Sequence, residues 1–287
     1  MTEKHPLLII GAKNLVAPYL FKRLRERGQI AEVISRSAVP VPEGFTLTQM
    51  DLTHARNWIA PEGAVVVSLI PLWVLAQMLP RFIGVKAIVA VGSTSVFSKA
   101  ASASERERQT AADLDRAEQA IRVWCARDNV CYTLLRPTMV YDGQSDRNIA
   151  RMAHFIRRFR FLPLATPAKG LRQPIHADDV AGAILAVIDN FVACNKTLNI
   201  AGGEVLTYRA MAERVFAAMG KKPRFVMLPA AWLMRAFRVM EALGLLREKS
   251  FGSAIFQRMN EDLVFDDTEG MSILNYQPRD FRPEVKG

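Results

Sequence analysis

Residues 6–17 read Pro-Leu-Leu-Ile-Ile-Gly-Ala-Lys-Asn-Leu-Val-Ala, and this stretch decides the fold. Its first five residues form a short apolar run, which is typical of a parallel β-strand covered on both faces. Gly11 ends the run, and residues 15–27 then place apolar side chains at helical spacing. A strand that turns at a glycine into a helix is the opening of a βαβ unit.

Strand-like and helix-like segments alternate through the first two-thirds of the chain. Further strands are predicted at residues 31–35, 46–49, 64–70, 87–91 and 131–135, with a helix at 114–127. This alternation predicts an α/β fold with a Rossmann-like, doubly wound parallel sheet. We expect residues 1–145 to form this dinucleotide-binding core.

Residues 146–287 show a looser pattern and are expected to form a mixed region. A strand near residues 197–200 would complete the sheet, and the rest would form a small substrate-side cap. Helices are predicted at residues 151–161, 180–190, 208–219 and 230–246. The last of these carries an apolar stripe, which predicts either core packing or the interface of a homodimer, formed by Trp232, Met234, Phe237, Met240 and Leu243.

The net charge of +10 and the pI near 9.8 predict attraction to anions. The positive charge is scattered along the sequence and no base-reading motif occurs, so no nucleic-acid partner is expected. Four arginines on the predicted 151–161 helix form either a solvated face or a site for an acidic partner or phosphate: Arg151, Arg157, Arg158 and Arg160.

Cys125, Cys131 and Cys194 are read as three separate thiols, which predicts neither a disulfide framework nor a zinc site. The four histidines are too dispersed for a set of metal ligands. Residues 64–80 are the longest apolar stretch, and they are too short and too interrupted for a transmembrane segment. With no secretory signal, we expect a cytoplasmic protein.

The glycine turn has the layout of a loop that binds a dinucleotide phosphate. Gly11 suits the tight turn, and Ala17 is small enough for close packing of helix on strand. Asn14 stands where a second glycine would let the backbone approach the pyrophosphate, although asparagine tolerates the positive φ that such a turn requires. Gly11, Asn14 and Leu15 are therefore predicted to contact a cofactor; a simple strand–helix turn is the alternative.

Arg36 follows the second strand, where an acidic residue would hold the ribose 2′-hydroxyl of NAD(H). An arginine suits a 2′-phosphate, so NADP(H) is favoured over NAD(H); a solvated arginine is the alternative. Asp51 is predicted either to approach the adenine or to cap a helix. Leu69 ends the fourth strand, where ligands of open sheets bind, and core packing is its alternative role.

Several segments match one family in order. They are the glycine loop at 11–17, Val-Gly-Ser-Thr-Ser-Val-Phe at 91–97, Leu-Arg-Pro-Thr-Met-Val-Tyr at 135–141, and the Arg-x-x-x-His-x-x-Asp-Val-Ala segment at 172–181. Over residues 6–283 the chain resembles the extended, epimerase/dehydratase-like branch of the short-chain dehydrogenase/reductase superfamily, and in particular its atypical members. The glycine loop departs from that family's pattern because the middle and last glycines are replaced.

The resemblance implies a catalytic Tyr-x-x-x-Lys pair, in which the phenol transfers a proton and the lysine lowers its pKa. Alignment through residues 117–119 places Thr110 at the tyrosine position and Leu114 at the lysine position. No tyrosine in the chain has a lysine four residues later. Ser93 matches the family's substrate-orienting serine, and Thr94 is an adjacent candidate.

The resemblance also implies a small anionic or nucleotide-linked ligand, with Arg172 and Tyr141 on the substrate side. Three functions follow. In the first, the chain binds NAD(P)(H) for a non-standard redox step or as a structural or sensing ligand. In the second, it is an active reductase or epimerase/dehydratase that uses Ser93 with water or Lys99. In the third, it is a scaffold or regulatory subunit that has lost the cofactor. Asn14 favours the third.

Overall fold

The computed structural model of the protein describes residues 5–55, 57–191, 193–242, 256 and 258–285. Nine α-helices lie within these ranges: α1 Ala17–Glu26, α2 Leu72–Met78, α3 Ser95–Ser98, α4 Glu105–Arg127, α5 Ile149–Phe159, α6 Ala177–Asn190, α7 Tyr208–Ala218, α8 Ala230–Ala242 and α9 Thr268–Leu274. The described strands are β1 Leu7–Ile10, β2 Glu32–Ser35, β3 Thr46–Gln49, β4 Val65–Ser68, β5 Ala87–Val91, β6 Cys131–Pro137, β7 Val140–Tyr141, β8 Leu162–Ala165, β9 Leu171–Arg172, β10 Ile175–His176, β11 Lys196–Ile200, β12 Leu206–Thr207 and β13 Phe225–Leu228.

The central sheet has seven strands in the order β11-β6-β5-β4-β1-β2-β3. All of its strand pairs are parallel. The β4 sequence Val-Val-Val-Ser is buried at every position, as a strand covered on both faces requires. The predicted Rossmann-like, doubly wound α/β fold is confirmed.

The register of the sheet aligns the ends of β1, β2 and β4. Ile10 of β1 lies opposite Ile34 of β2 on one side and Ser68 of β4 on the other. The residues that follow these strands therefore meet at one edge, which is the carboxyl edge where open α/β sheets bind ligands.

The chain folds into two units that interleave along the sequence. Unit 1 comprises residues 1–137, 177–200 and 266–277 and contains the sheet. Unit 2 comprises residues 138–176, 201–265 and 278–287. This division differs from the predicted single boundary between residues 145 and 146, because β11 returns to pair with β6 and brings its neighbouring segments into unit 1.

Unit 2 has its own apolar core, built on α5, α7 and three two-stranded pairs. The pairs are β8 with β13, β7 with β10, and β9 with β12. In α8, Leu233 is buried in this core whereas Trp232 is 70% exposed. The side chains of Phe237, Met240 and Leu243 from the predicted stripe lie outside the described residues. Across the described ranges, no helix has the length and apolar character needed to cross a membrane.

The expectation of three separate thiols is corrected. Cys131 and Cys194 form a disulfide, with their Cα atoms 5.3 Å apart. Because β11 pairs with β6, the loop before β11 lies beside the start of β6 and brings together two cysteines that are 63 residues apart. Cys125 is free and buried, and burial raises the pKa of its thiol to about 12.

Candidate cofactor-binding site

Gly11 makes the turn from β1 toward α1, and its backbone has a φ of +102°. A Cβ at this position would lie 2.9 Å from Ile70 Cγ2 and 3.0 Å from the Leu69 carbonyl carbon. The Gly11 N–H also donates to the Ile34 carbonyl at 3.2 Å. The turn is therefore held between β2 and the end of β4, and both the positive φ and the close approach require glycine.

Asn14 is fixed at both ends of its carboxamide. Its Nδ2 donates to the Leu69 carbonyl at 2.8 Å, and its Oδ1 accepts the Val16 N–H at 2.9 Å. The Asn14 carbonyl accepts the Ala17 N–H at 3.0 Å, and Pro18 has no N–H to offer. The side chain thus ties the loop to the residue after β4 and accepts the Val16 N–H, a donor that a phosphate would otherwise use.

The positive φ of this turn falls on Gly11, and Asn14 is not among the described residues with positive φ. The expectation that asparagine would supply a left-handed backbone at the middle position does not describe this loop. Asn14 contributes through its side chain, which bridges the loop and β4 as a hydrogen-bonding group.

The end of β2 presents hydroxyls and a cation. Ser35 is buried and its Oγ accepts the Ser37 N–H at 3.4 Å. Arg36 is exposed, and its carbonyl accepts a hydrogen bond from Gln49 Nε2 at 3.4 Å. The local sequence Ser35-Arg36-Ser37 carries no carboxylate.

Asp51 follows β3 and organises a turn. Its Oδ1 accepts hydrogen bonds from Thr53 N at 2.9 Å and Thr53 Oγ1 at 2.6 Å, and His54 Nδ1 lies 3.4 Å from Oδ2. The hydrogen bonds from Thr53 hold the pKa of the Asp51 carboxyl below its usual range. The carboxylate is therefore ionised and already bonded to its own turn.

These segments line a cavity of about 630 Å³ in unit 1. This volume is in the range of pockets that bind small molecules and cofactors. The described residues of its wall are 10–14, 34–37, 50–53, 69–71, Val74 and Met78.

Most of the predicted cofactor residues line this cavity, namely Gly11, Asn14, Arg36, Asp51 and Leu69. Leu15 is not among the described residues of the wall, because the chain has turned toward α1 by that point. Contact of any of them with a cofactor stays a prediction. Lys13 and Ser37 were missed, although each stands beside a predicted site residue, and Met78 was missed because it reaches the wall from α2.

The serine and threonine after β5 are bonded within unit 1. Ser93 Oγ accepts the Ser95 N–H at 3.1 Å and lies 3.0 Å from Ser95 Oγ. Thr94 is buried, and its Oγ1 donates to the Pro137 carbonyl at 3.2 Å. Ser93 is the more accessible of the two hydroxyls, and Thr94 ties the end of β5 to the end of β6.

The positions that the resemblance assigns to the catalytic pair lie on α4. The Thr110 hydroxyl donates to the Arg106 carbonyl one turn earlier, at 2.8 Å. Leu114 is buried in the core of unit 1. Neither side chain can transfer a proton near neutral pH, since a threonine hydroxyl is too weak an acid and leucine has no polar group.

Arg172 and Tyr141, predicted on the substrate side, lie in the interior of unit 2. The guanidinium of Arg172 donates to the carbonyls of Leu171 and Glu261, both at 2.7 Å, and to that of Arg258. Burial lowers its pKa to about 10. Tyr141 is fully buried, and its ring packs against those of His176 and Phe281. In this arrangement Arg172 joins segments of its own unit, and ligand binding by either residue stays a prediction.

Solved structures with the same fold include UDP-sugar epimerases. A UDP-glucose 4-epimerase from Thermotoga maritima with UDP-glucose has a TM-score of 0.68 at 15% identity, over 97% of this chain and 95% of that one. A UDP-glucuronic acid 4-epimerase from Bacillus cereus, in complex with UDP-glucuronic acid and NAD, has a TM-score of 0.70 at 14% identity, over 97% and 96%. At these identities the likeness concerns the fold.

Two curated proteins are similar in sequence. One is the mitochondrial NADH dehydrogenase [ubiquinone] 1 alpha subcomplex subunit 9 of Arabidopsis thaliana, 34% identical over 99 residues, which is 34% of this chain and 24% of that protein. The other is an uncharacterized protein, y4nG, of Sinorhizobium fredii, 25% identical over 203 residues, which is 68% of this chain and 50% of that protein. The chain thus spans a quarter to a half of the length of these relatives.

The family model described as "NAD dependent epimerase/dehydratase family" matches residues 55–201. The matched segment runs from the turn after β3 to the end of β11, and so contains β4, β5, β6 and the α4 helix. It covers half of the chain. Together with the shared fold, this match establishes that the chain belongs to the NAD dependent epimerase/dehydratase family.

Proposed function

We propose that the cavity of unit 1 binds a nicotinamide dinucleotide and prefers NADP(H) to NAD(H). The observation that carries the proposal is the Ser35-Arg36-Ser37 sequence at the end of β2, which lines the cavity and contains no carboxylate. A carboxylate there would accept the two ribose hydroxyls of NAD(H) and repel a 2′-phosphate. An arginine flanked by serine hydroxyls offers charge-assisted donors to that phosphate.

The cavity also fits the rest of such a cofactor. The Gly11 turn brings backbone to the edge of the sheet without a side chain in the way. Lys13 is exposed on the same wall and adds a second positive charge beside Asn14, whose side chain already accepts the Val16 N–H. The wall of Leu69, Ile70 and Met50 is apolar enough to hold an adenine.

The cofactor preference is tested by calorimetric titration with NADPH, NADP⁺, NADH and NAD⁺. Phosphorylated forms are expected to bind at least about tenfold more tightly, since a charge-assisted contact contributes roughly 1.5–3 kcal/mol. Arg36→Ala is expected to weaken NADPH binding by about 10- to 100-fold and to change NADH binding little.

Arg106→Ala is the matched control, because Arg106 is an exposed arginine of unit 1 that does not line the cavity. Equal losses for NADPH and NADH in Arg36→Ala would overturn the assignment of Arg36. Binding of none of the four nucleotides would overturn cofactor binding altogether and favour a scaffold.

We further propose that the protein holds this cofactor as a structural or sensing ligand, or for a non-standard redox step. A bound nicotinamide supplies hydride transfer, but that transfer needs a partner for the proton. Thr110 is hydrogen-bonded to its own helix and Leu114 is buried, so these two positions of α4 supply no such partner. An active reductase or epimerase would have to rely on Ser93 with water, or on Lys99, after β5.

This second proposal is tested by turnover assays with NADPH and with UDP-glucose or UDP-glucuronic acid, the anionic nucleotide-linked ligands of the structurally similar epimerases. We expect no epimerisation above that of a buffer blank. Measurable turnover that Ser93→Ala abolishes, with NADPH binding retained, would establish the enzyme instead.

A role as a subunit of a larger assembly is a second candidate, favoured by one observation. The Arabidopsis relative is named as a subunit of NADH dehydrogenase. Native electrophoresis of membranes from the source organism would test this role. Migration of the protein with NADH dehydrogenase activity supports it, and migration as a monomer or homodimer argues against it.

A further inference from the structure

Two stretches of the chain hold 13 of its 38 lysines and arginines and no acidic residue. Residues 147–176 carry basic side chains and no Asp or Glu, and the same holds for residues 214–240. The basic residues of these stretches outnumber the net charge of +10, so the remainder of the chain is net negative. Both stretches belong to unit 2. The net positive charge, which looks scattered in the sequence, is therefore concentrated in unit 2.

The pairing of β8 with β13 brings the two stretches side by side. The strands are parallel, with Phe225 opposite Leu162, and the Leu162 N–H donates to the Arg224 carbonyl at 2.9 Å. The residues that precede the two strands therefore meet at one edge. We define this basic edge by its exposed cations and the two phenylalanines among them, which are Arg158, Arg160, Lys222, Arg224, Phe159 and Phe161.

The phenylalanines lie against one another within the basic edge. Phe159 is 42% exposed, and its ring centroid is 4.6 Å from that of Phe155 and 6.4 Å from that of Phe161. The Arg158 guanidinium lies over the Phe159 ring, 5.3 Å from its centroid. Exposed aromatic rings with arginines beside them are typical of protein surfaces that enter the headgroup region of a membrane.

Stabilisation of helix ends explains only part of this arrangement. Arg158 lies in the last turn of α5 and Lys222 follows the end of α7, where cations interact favourably with the helix dipole. Arg224 instead precedes a strand, and the exposure of Phe159 brings no stability to the fold. No ion pair joins the four cations of the basic edge to a carboxylate within the described ranges.

We propose that the basic edge of unit 2 binds the surface of a membrane that contains anionic phospholipids. The four cations meet lipid phosphates, and Phe159 and Phe161 enter the boundary between headgroups and acyl chains. Single-stranded RNA fits less well, because it needs open ring faces for base stacking. Here Phe159 already has Arg158 over its face and Phe155 beside it. This proposal is independent of cofactor binding in unit 1.

The test is sedimentation of the full chain with vesicles of phosphatidylcholine, with and without phosphatidylglycerol. We expect binding only to the vesicles that contain phosphatidylglycerol, and weaker binding at high salt. The Arg158→Glu/Lys222→Glu/Arg224→Glu variant is expected to bind at least about 100-fold more weakly, since each basic side chain near an anionic surface contributes about fivefold. Phe159→Ser is expected to weaken binding by about tenfold.

The matched control is Arg25→Glu/Lys86→Glu/Arg106→Glu, which makes the same change in net charge at exposed sites of unit 1. It is expected to bind vesicles nearly as well as the wild type. Circular dichroism and thermal denaturation of each variant check folding. Undiminished binding by the first triple variant, or an equal loss in the control, would overturn the proposal. Binding to single-stranded RNA but not to either vesicle would overturn it as well.

Discussion

The loop after β1 and the middle of α4 both correspond to motifs of the family. They differ in how far their residues match those motifs. In the loop, Gly11 keeps the backbone turn that the fold demands. On α4, Glu118 forms a buried ion pair, and Thr110 and Leu114 lie at the positions that the resemblance assigns to the catalytic pair. Residues that shape the backbone or the core are present in both regions, and neither Thr110 nor Leu114 carries a group that transfers a proton near neutral pH.

The ion pair of Glu118 and Arg136 gives α4 a structural role. Glu118 is 1% exposed; Arg136 Nε donates to its Oε1 at 2.8 Å and Arg136 Nη2 donates to its Oε2. Arg122 Nη2 donates to the same Oε2 at 3.1 Å. This buried carboxylate accepts three hydrogen bonds and joins α4 to β6, so α4 stabilises the core of unit 1.

The largest effect is expected from Glu118→Ala. The change leaves the Arg136 guanidinium largely buried without its partner, which costs roughly 3–5 kcal/mol of the free energy of unfolding. Urea denaturation followed by circular dichroism measures this loss. Glu105→Ala on the same helix is the control, because Glu105 is exposed, and it is expected to change stability by less than about 0.5 kcal/mol. Equal effects in the two variants would show that the ion pair does not stabilise the helix.

The second-largest effect is expected from Gly11→Ala. Its Cβ would collide with Ile70 and with the Leu69 backbone at a φ of +102°, so we expect a loss of roughly 1–3 kcal/mol in stability together with loss of NADPH binding. Thermal denaturation and calorimetric titration measure the two effects.

Gly63→Ala separates backbone strain from collision. Gly63 also has a positive φ, +70°, but a Cβ added there would meet no atom within 4 Å. We expect this control to lose about 1 kcal/mol and to bind NADPH normally. If both variants keep full NADPH affinity, the loop does not form the cofactor site.

Asn14→Gly tests whether asparagine closes the phosphate path. The change removes the hydrogen bonds to Leu69 and from Val16, and we expect it to cost roughly 1–2 kcal/mol in stability. It also frees the Val16 N–H for a phosphate, so NADPH is expected to bind a few times more tightly, as titration would show. Weaker binding in Asn14→Gly would mean that the carboxamide supports the site.

The fold was predictable because its central strands are continuous apolar runs that end in turns. β3 and β5 have the predicted bounds. β1, β2 and β4 each lie within the range predicted for that strand. The start of α4 was not predictable, because Glu105 to Asp113 is mostly polar and shows no apolar period. The two-residue strands of unit 2 are too short to show any periodicity, so their pairing depends on tertiary contacts.

The site was predictable where a residue directly follows a strand. Gly11 and Arg36 follow β1 and β2, and the register of the sheet brings them to one cavity. Met78 reaches the same cavity from α2, and no local pattern distinguishes it from a core residue. The disulfide of Cys131 and Cys194 likewise depends on the pairing of β6 with β11.

The smallest effect is expected from Thr110→Ala, and it bears most directly on the comparison of loop and helix. If Thr110 had taken over the catalytic role of the tyrosine, removal of its hydroxyl would abolish any turnover. Its hydroxyl instead donates to the Arg106 carbonyl of its own helix, a local bond that adds little to helix stability. We therefore expect stability to change by less than about 0.5 kcal/mol and NADPH affinity to stay the same. A loss of turnover in this variant, with folding and NADPH binding intact, would place the proton transfer on α4 after all.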